Sequence, residues 1–195
     1  DEIIRRYLDT LADLRDGKVT AEAKDKISLI MRQLNISVED RPCVKAALAK
    51  RDLTDTVSMA LELQDGTIVD AKTSKLLSAP AALILNALKH LAKINDDMLL
   101  LSPAIIEPIT DLKVNDLGNH NPRLHADEIL IALAISARTN PLAEMAIKQI
   151  PNLANCQAHA TVILPQVDSG IFKKLKINLN NLFWWNYYNF INFSR

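Results

Sequence analysis

Side chains able to bind a ligand concentrate in one stretch of the sequence, residues 102–133. They carry amide, imidazole, guanidinium, ammonium and carboxylate groups, and the candidate site residues are Lys113, Asn115, Asn119, His120, Arg123, His125 and Asp127. The polar part of the stretch has little regular periodicity, which is typical of a long loop, and long loops in compact domains tend to be functional. We therefore expect a ligand site here, although the residue types leave its reaction open.

An anion site would use most of these side chains. The sequence predicts a helix over residues 122–138, and a helix N-terminus presents free backbone N–H groups to an anion. Lys113, His120 and Arg123 would add positive charge suited to phosphate or carboxylate, and we expect Lys113 and Arg123 to face solvent without a carboxylate partner. Gly118 would permit close approach of the backbone. The alternative is an ordered loop whose Asn and Asp residues close turns and whose charges are solvated.

A metal site is the second chemical alternative. The segment HADE at residues 125–128 resembles the His-Ala-Glu of zinc deaminases, in which histidine binds zinc and glutamate moves protons. Here Asp127 stands in the place of that glutamate, and no Pro-Cys-x-x-Cys supplies further ligands, so a zinc deaminase is a poor match. His120, His125 and Asp127 would still suit another metal, which leaves a metal-dependent hydrolase open. In the simpler alternative, Asp127 and Glu128 stabilise a helix N-terminus electrostatically.

Composition limits the partners and the compartment of the protein. The 195 residues contain 23 basic and 23 acidic side chains, so no overall field attracts nucleic acid or anionic lipid. No apolar run is long enough to span a bilayer, and no signal peptide opens the chain. Cys43 and Cys156 form no metal or disulfide spacing and are predicted to be buried, which indicates the reducing cytoplasm. Because the first residue is Asp1 rather than Met, we expect a fragment of a longer protein.

The first 58 residues are predicted to form a small helical subdomain. Apolar residues recur at helical spacing from Ile3 to Leu14, and Gly17 follows as a stop signal. Thr20 is expected to cap a second helix, and Pro42 suits the first turn of a third. Such apolar stripes are typical of packing faces, so we assign this unit a structural role.

Residues 59–179 are predicted to form a three-layer α/β domain, because helical and strand periodicities alternate along them. Asp65-Gly66 favours the tight turn of a hairpin, and Ser78 is suited to cap an apolar helix. His159, on a strand with apolar neighbours, is predicted to be a core or interface histidine with satisfied hydrogen bonds. Further predicted elements are strands over residues 98–106, 160–164 and 177–179, and helices over residues 122–138, 141–150 and 169–176.

Residues 180–195 differ from everything before them. They hold most of the chain's aromatic residues and many asparagines, with a single charge at Arg195. Asn, Phe, Ile and Tyr have A/T-rich codons, so we interpret this tail as a non-native reading frame and expect it not to bury both Trp184 and Trp185. A membrane-interface segment lacks the long apolar span it would flank, and a base-stacking surface lacks basic residues among its aromatics.

Long motifs carry a resemblance to a known family: DGTIVDAKTSKLLSAPAALILNALKHLA, LLLSPAIIEPITDLKVNDLGNHNPRLHADEILIALAISARTNP and NLANCQAHATVILPQVD. With EIIRRYLDTLADLRDGKV and ISVEDRP, they make the chain closely similar, from Asp1 to Asn178, to the C-terminal part of uncharacterised protein family 0371. The resemblance implies a bacterial protein with an N-terminal half absent here, which carries a Gly-Pro-Gly-Ser-Gly-Lys segment like a phosphate-binding loop. It also implies a layout similar to the cytidine-deaminase fold, without its zinc motif.

The resemblance and the candidate residues together lead to one functional hypothesis and two alternatives. We expect the ligand-completing C-terminal half of a larger nucleotide- or phosphate-handling protein, whose partners are the missing N-terminal half and a phosphate-bearing small molecule. Some family members are described as ATP-dependent peptidases, but this sequence has no Gly-x-Ser-x-Gly or His-Glu-x-x-His. The first alternative is an interaction or assembly domain with apolar surfaces on residues 79–94 and 122–150, which would permit a homo-oligomer. The second is the metal-dependent hydrolase.

Overall fold

The computed structural model describes residues 2–181, in which helices precede and separate the strands of one sheet. The helices are α1 (Glu2–Arg15), α2 (Ala21–Gln33), α3 (Pro42–Thr54), α4 (Ala79–Leu91), α5 (Pro103–Asp111), α6 (Ala126–Ser136), α7 (Pro141–Ile147) and α8 (Gln166–Lys174). The strands are β1 (Ser58–Glu62), β2 (Ile68–Lys72), β3 (Gln157–Ala160) and β4 (Asn178–Asn181). The protein is therefore of the α/β class, as its periodicities predicted.

Helices α1, α2 and α3 pack through the apolar stripes that their spacing predicted. Ile4 and Leu8 of α1 form one buried cluster with Met31 of α2 and Leu48 of α3. Pro42 occupies the first turn of α3, where its missing N–H needs no partner. The helical character of this region is confirmed, whereas the boundary of a separate subdomain at residue 58 stays a prediction.

The strands form a mixed sheet in the order β2-β1-β3-β4. β1 is antiparallel to both β2 and β3, whereas β3 and β4 are parallel and are connected through α8. The predicted hairpin of β1 and β2 is confirmed. Gly66 in its turn has a φ of +83°, a conformation that glycine adopts without steric cost.

Helices cover both faces of the sheet, and a separate apolar cluster lies on each face. Met59 of β1 and Ala158 of β3 belong to the main apolar core, which they share with Leu83 of α4. The opposite face is covered by α3, where Cys43 packs with Ala60 of β1. Helices therefore lie on both sides of the sheet, as in the predicted three-layer α/β organisation, but the second helical layer is α3, which was predicted to belong to the separate helical subdomain. Its similarity to the cytidine-deaminase layout stays a prediction.

Residues 98–106 do not form the predicted buried strand. Ser102 precedes a helix instead, Pro103 occupies its first turn, and α5 continues past Pro108. A single π-helical turn, Leu112–Asp116, follows directly. Leu100 and Leu101, directly before α5, are buried in the main core without joining the sheet, whereas Met98 and Leu99 are exposed. Burial was therefore inferred correctly for only half of this run, and the proline at the helix start decided the conformation.

Four other elements were predicted with the correct type of secondary structure but with the wrong bounds. α6 starts at Ala126 rather than near residue 122, because the backbone of Leu124 pairs with the backbone of residues 76–78 instead of entering the helix. The strand expected over residues 160–164 is β3, which lies three residues earlier. α7 and α8 are likewise shorter than, or displaced from, their predicted ranges.

The prediction for His159 is half correct. The side chain is completely buried, as expected of a core histidine. Neither ring nitrogen, however, has a hydrogen-bond partner in the described part of the chain, so the expectation of satisfied hydrogen bonds is wrong. His159 lies on the sheet face that α3 covers, opposite Ala60 of β1.

Three further expectations concern membrane spans, the cellular location and the C-terminal tail. Among residues 2–181, no helix is both long and apolar enough to cross a membrane. The cytoplasmic location stays a prediction. The expectation about Trp184 and Trp185 lies outside the described residues.

Candidate functional site

The stretch with the candidate residues is fixed to a second segment, residues 74–78. The N–H of Leu124 donates to the carbonyl of Leu76 at 2.9 Å, and the N–H of Ser78 donates to the carbonyl of Leu124 at 3.0 Å. Ser78 also caps α4, because its Oγ accepts a hydrogen bond from the N–H of Ala81. The candidate residues therefore lie close to the starts of both α4 and α6, in a position set by backbone pairing.

Lys113 has a carboxylate partner, contrary to the prediction that it faces solvent. It lies in the π-helical turn after α5, and its side chain is 6% exposed. Its Nζ donates to Oε2 of Glu128 at 2.7 Å and to the carbonyl of Arg123 at 2.8 Å. A buried ammonium group requires such partners. Lys113 therefore ties the end of α5 to the start of α6.

Carboxylates of the protein itself occupy the N-terminus of α6. Glu128 accepts a hydrogen bond from the N–H of His125 at 2.7 Å, Asp168 accepts one from the N–H of Ala126 at 2.9 Å, and Asp127 accepts one from the N–H of Glu128 at 2.9 Å. These groups satisfy donors that a helix start otherwise presents to an anion. Asp127 and Glu128 therefore stabilise the start of α6, as in the simpler alternative, and the helix start is not arranged as an anion site.

His125 is held between a buried carboxylate and an amide. Its Nδ1 lies 2.8 Å from Oδ2 of Asp168, a residue of α8, and its Nε2 lies 3.2 Å from Nδ2 of Asn121. The Oδ1 of Asn121 accepts a hydrogen bond from the N–H of Arg123 at 3.2 Å, so the Nδ2 group faces the histidine. In this arrangement Nε2 accepts and Nδ1–H donates to Asp168, so the two contacts fix the orientation of the ring.

A histidine oriented by a carboxylate is an arrangement that catalytic and metal-binding histidines share. Here the Nε2 of His125 is engaged by Asn121, so neither a proton nor a metal reaches it without displacement of that amide. Between residues 2 and 181, no group of three or more His, Cys, Asp or Glu side chains is placed to hold a metal. The site therefore gives no support to a metal centre of His120, His125 and Asp127.

Three other candidate residues close a turn or face solvent. The Oδ1 of Asn119 accepts a hydrogen bond from the N–H of Asn121 at 2.9 Å, as in an Asx turn. Asn115 and His120 are exposed, and their side chains have no partner within the described ranges. This part of the chain therefore has the character of an ordered loop closed by asparagines.

Arg123 is exposed, as predicted, and has a free end. Its Nε donates to the carbonyl of Ser74 at 2.7 Å. Nη1 and Nη2 have no hydrogen-bond or ion-pair partner in residues 2–181. Because Ser74 holds the Nε edge, the guanidinium is oriented while its two terminal nitrogens remain available.

An apolar cleft of about 230 Å³ borders Arg123, because Ser74 belongs to its lining. The cleft lies between α4, the segment before it, and the start of α5, and is lined by Ser74, Leu76, Leu77, Ala82, Leu85, Asn86, Lys89, Leu99, Leu100, Leu101, Pro103 and Ile106. Lys89 is the charged residue of this lining, and its Nζ donates to the neutral carbonyl of Asp96 at 2.6 Å. The lining contains no carboxylate.

Sequence reasoning missed Asp168 and the cleft. Asp168 lies 43 residues from His125, and its only sequence signal is an acidic residue in the first turn of α8. The walls of the cleft come from apolar segments that read as core. Asn86 and Lys89 interrupt that pattern within an apolar helix and were the available clues.

The comparisons with known proteins agree with the resemblance seen in the motifs. A family model described as "Domain of unknown function DUF1846, C-terminal" matches residues 39–182. A UPF0371 protein of Corynebacterium urealyticum is 48% identical over 176 residues, which are 90% of this chain and 35% of the relative. A UPF0371 protein of Streptococcus pyogenes serotype M5 is 47% identical over 178 residues, which are 91% of this chain and 36% of the relative.

These matches cover most of this chain and a minor part of the relatives. The chain spans little more than a third of the length of the curated relatives it matches. The family model covers well over half of the chain and begins just before α3, so it includes this helix and the whole sheet but not the preceding helices α1 and α2. The chain therefore belongs to the UPF0371 family and carries the C-terminal domain named DUF1846.

Proposed function

We propose that this chain contributes a binding site for a phosphate-bearing organic ligand to a larger protein. Arg123 would bind the phosphate, and the adjacent cleft would hold the apolar part of the ligand. One observation carries the proposal: the guanidinium of Arg123 is oriented by Ser74, with two free nitrogens, at the border of a cleft without carboxylates. The proposed phosphate site therefore lies beside the cleft and not at the start of α6, where the sequence had predicted it.

The geometry around Arg123 supports an anion. A guanidinium presents planar pairs of N–H donors that match the oxygen atoms of a phosphate. The carbonyl of Ser74 accepts its Nε–H, and the side chain of Asn121 accepts its backbone N–H, so side chain and backbone are both held before a ligand arrives. Such preorganisation lowers the entropy cost of binding.

The cleft supports an apolar component of the ligand. Small-molecule sites typically combine apolar walls with a few polar groups, and here Leu85 and Ile106 stand beside Lys89. Lys89 would add a second positive charge, because its present partner is a neutral carbonyl. Nucleotides and other organic phosphates combine an apolar body with anionic oxygens. In the whole protein, the phosphate-binding segment implied by the family resemblance would complete the site.

Ligand-dependent thermal unfolding tests this proposal. A nucleotide such as ATP, at about a hundred times its dissociation constant, should stabilise the chain by about 2.7 kcal/mol. Arg123→Ala should remove most of this gain, and Lys89→Met should remove a smaller part, because Lys89 contributes a single ammonium group.

Arg138→Ala is the matched control, since Arg138 is also exposed but lies beyond the other end of α6. This variant should keep the full shift. Equal shifts in the unaltered chain and in Arg123→Ala would contradict the proposal. A shift that requires a divalent metal ion without any phosphate would do so as well.

An assembly role is a second candidate, because one face of α6 carries uncovered apolar side chains. Ile131 and Ile135 are 62% and 67% exposed and lie one helical turn apart on the same face. Neighbouring exposed aliphatic residues of this size are typical of interaction surfaces. Because about two thirds of the relatives' length lies outside the matched region, we propose that this remaining part of the polypeptide packs on the face of Ile131 and Ile135.

Substitutions in the full-length protein test the assembly role. Ile131→Glu combined with Ile135→Glu should lower the melting temperature. The double substitution should also make this chain and the remaining part of the polypeptide more susceptible to limited proteolysis. Leu53→Glu is the matched control, because Leu53 of α3 is even more exposed. The proposed packing is wrong if the substitutions leave the full-length protein unchanged and convert a dimer of the isolated chain into monomers. In that case the face of Ile131 and Ile135 binds a second copy of the chain.

A further inference from the structure

The sheet face beneath α3 carries polar side chains in the interior of the protein. Glu62 of β1 lies opposite Gln157 of β3, and His159 of β3 lies opposite Asn180 of β4. Residues that pair directly across strands share one face of a sheet, so these four side chains form a continuous polar surface. His159 and Asn180 are buried, and this surface lies away from the cleft and the Arg123 loop.

Arg41 brings a positive charge to this surface. It directly precedes α3, has no exposed surface, and its Nη2 donates to Oε1 of Gln157 at 2.7 Å. Its Nε and Nη1 are buried and have no partner among residues 2–181. A guanidinium in an apolar interior is strongly destabilising unless a counter-charge and hydrogen-bond acceptors compensate it.

The nearby acidic side chains do not hydrogen-bond to Arg41, although the charge of Arg41 partly offsets the rise that burial causes in the pKa of Asp9. Oδ1 of Asp9 accepts a hydrogen bond from the side chain of Asn180 at 2.6 Å, and Oδ2 accepts one from Arg5 at 3.3 Å. Glu62 has a buried Oε2 without a partner. Neither carboxylate forms an ion pair with Arg41 in the described structure.

His159 offers a further donor at the same place. Its ring is completely buried, and both nitrogens are without a partner in the described chain. Burial, and then the charge of Arg41, lower the pKa of His159 to about 3, so the imidazole is neutral. A neutral imidazole has one N–H donor and one acceptor, and here neither is used.

We propose that Arg41 and His159 bind a small oxyanion between α3 and the β3 strand. Three buried donors are then available to it: Nε and Nη1 of Arg41 and the N–H of His159. An oxyanion accepts several hydrogen bonds at once and supplies a directly hydrogen-bonded negative charge, which Arg41 lacks within the described chain. Because Arg41 and His159 are enclosed, the anion is small, in the size class of inorganic phosphate, sulfate or formate, and it is taken up as the layer of α3 closes.

The experiment separates this site from the one proposed at Arg123. All measurements use the chain with Arg123→Ala, which removes the phosphate contact beside the cleft and leaves Arg41 unchanged. Inorganic phosphate is the probe, at constant ionic strength. Equilibrium dialysis with labelled phosphate should show one phosphate bound per chain, and the melting temperature should rise saturably, by roughly 5 °C at about a hundred times the dissociation constant.

Two variants locate the bound phosphate. Arg41→Met retains much of the side-chain volume without the charge and should abolish phosphate retention. His159→Leu should weaken phosphate binding about tenfold, because it removes one of the three donors. If Arg41→Met does not fold, the proposal is still tested by the effect of His159→Leu on phosphate binding and by the number of phosphates bound per chain. Absence of retained phosphate, or equal retention by the chain with and without His159→Leu, would overturn the proposal and leave ordered water as the partner of Arg41.

Discussion

The carboxylate of Asp168 joins α8 to the start of α6 through His125. One oxygen of Asp168 lies 2.8 Å from Nδ1 of His125, and the other accepts a hydrogen bond from the N–H of Ala126 at 2.9 Å. His125 in turn contacts Asn121, whose side chain accepts the backbone N–H of Arg123. The position of Arg123 therefore depends on a buried residue from a distant helix.

Replacing Asp168 by alanine should lower the free energy of unfolding by about 2–4 kcal/mol. The substitution leaves two donors, Nδ1–H of His125 and the N–H of Ala126, without their acceptor in a largely buried site. Asp127→Ala is the control, because Asp127 is half-buried and makes one local bond, and it should cost less than about 1 kcal/mol. Urea denaturation measures both. Equal costs would show that Asp168 has no special structural role.

Lys113→Met should destabilise the fold by about 2–3 kcal/mol, because it leaves Glu128 without its buried counter-charge. Adding Glu128→Gln removes the remaining charge and keeps an oxygen that can accept the N–H of His125. The double variant should therefore recover at least about 1 kcal/mol relative to Lys113→Met. Chemical denaturation of the complete double-mutant cycle gives the coupling energy. Strict additivity of the two costs would refute the coupling.

The pH dependence of stability should carry a contribution from His159. Its pKa is 6.5 in the reference state and about 3 in the folded protein, so the unfolded chain binds a proton that the folded chain excludes. Stability should therefore fall as the pH decreases from 6.5 to 3, with a slope of up to about 1.4 kcal/mol per pH unit. The slope is about half of its maximum at pH 6.5 and fades above about pH 7.5.

A pair of variants isolates that slope. His159→Leu should flatten it, whereas His90→Gln should not, because His90 is exposed. Burial raises the pKa of Asp9, which acts in the opposite direction, so the comparison is between variants at each pH. Unfolding free energies measured from pH 7 to pH 4 provide the test. Parallel curves for the unaltered chain and His159→Leu would exclude the contribution.

Alanine should have opposite effects at two glycines. Gly66 has a φ of +83°, so Gly66→Ala should destabilise the hairpin by about 1 kcal/mol. Gly170 lies inside α8 at negative φ, with nothing within 4 Å of an added Cβ, so Gly170→Ala should stabilise the fold by up to about 1 kcal/mol. Calorimetric melting temperatures check both signs. A loss of stability at Gly170 would indicate that α8 depends on contacts beyond its own helix.

The sequence predicted elements whose signals act over a few residues. Asp65-Gly66 marked the turn of the β1–β2 hairpin, and Ser78 marked the start of α4 through a hydrogen bond within its own first turn. The three N-terminal helices followed from apolar spacing alone. Such signals report the local conformation directly, since the groups that interact are close in sequence.

Contacts between distant segments could not be predicted in the same way. Lys113 meets Glu128 from a π-helical turn that follows α5. The start of α6 moved because Leu124 pairs with residues 76–78. His125 meets Asp168 across the fold. Each of these contacts arises from packing in three dimensions, which a local pattern of residue types does not specify.

The unequal faces of the sheet determine the order in which the molecule opens. On one side, α4 is held by burial of aliphatic side chains, which water cannot replace. On the other, the pairs Arg41–Gln157 and Asp9–Asn180 exchange readily for hydrogen bonds to water once the layer separates. The layer of α1 to α3 is therefore a weaker cooperative unit. Its amide hydrogens should exchange with solvent through partial opening, while those of α4 exchange only when the whole chain unfolds.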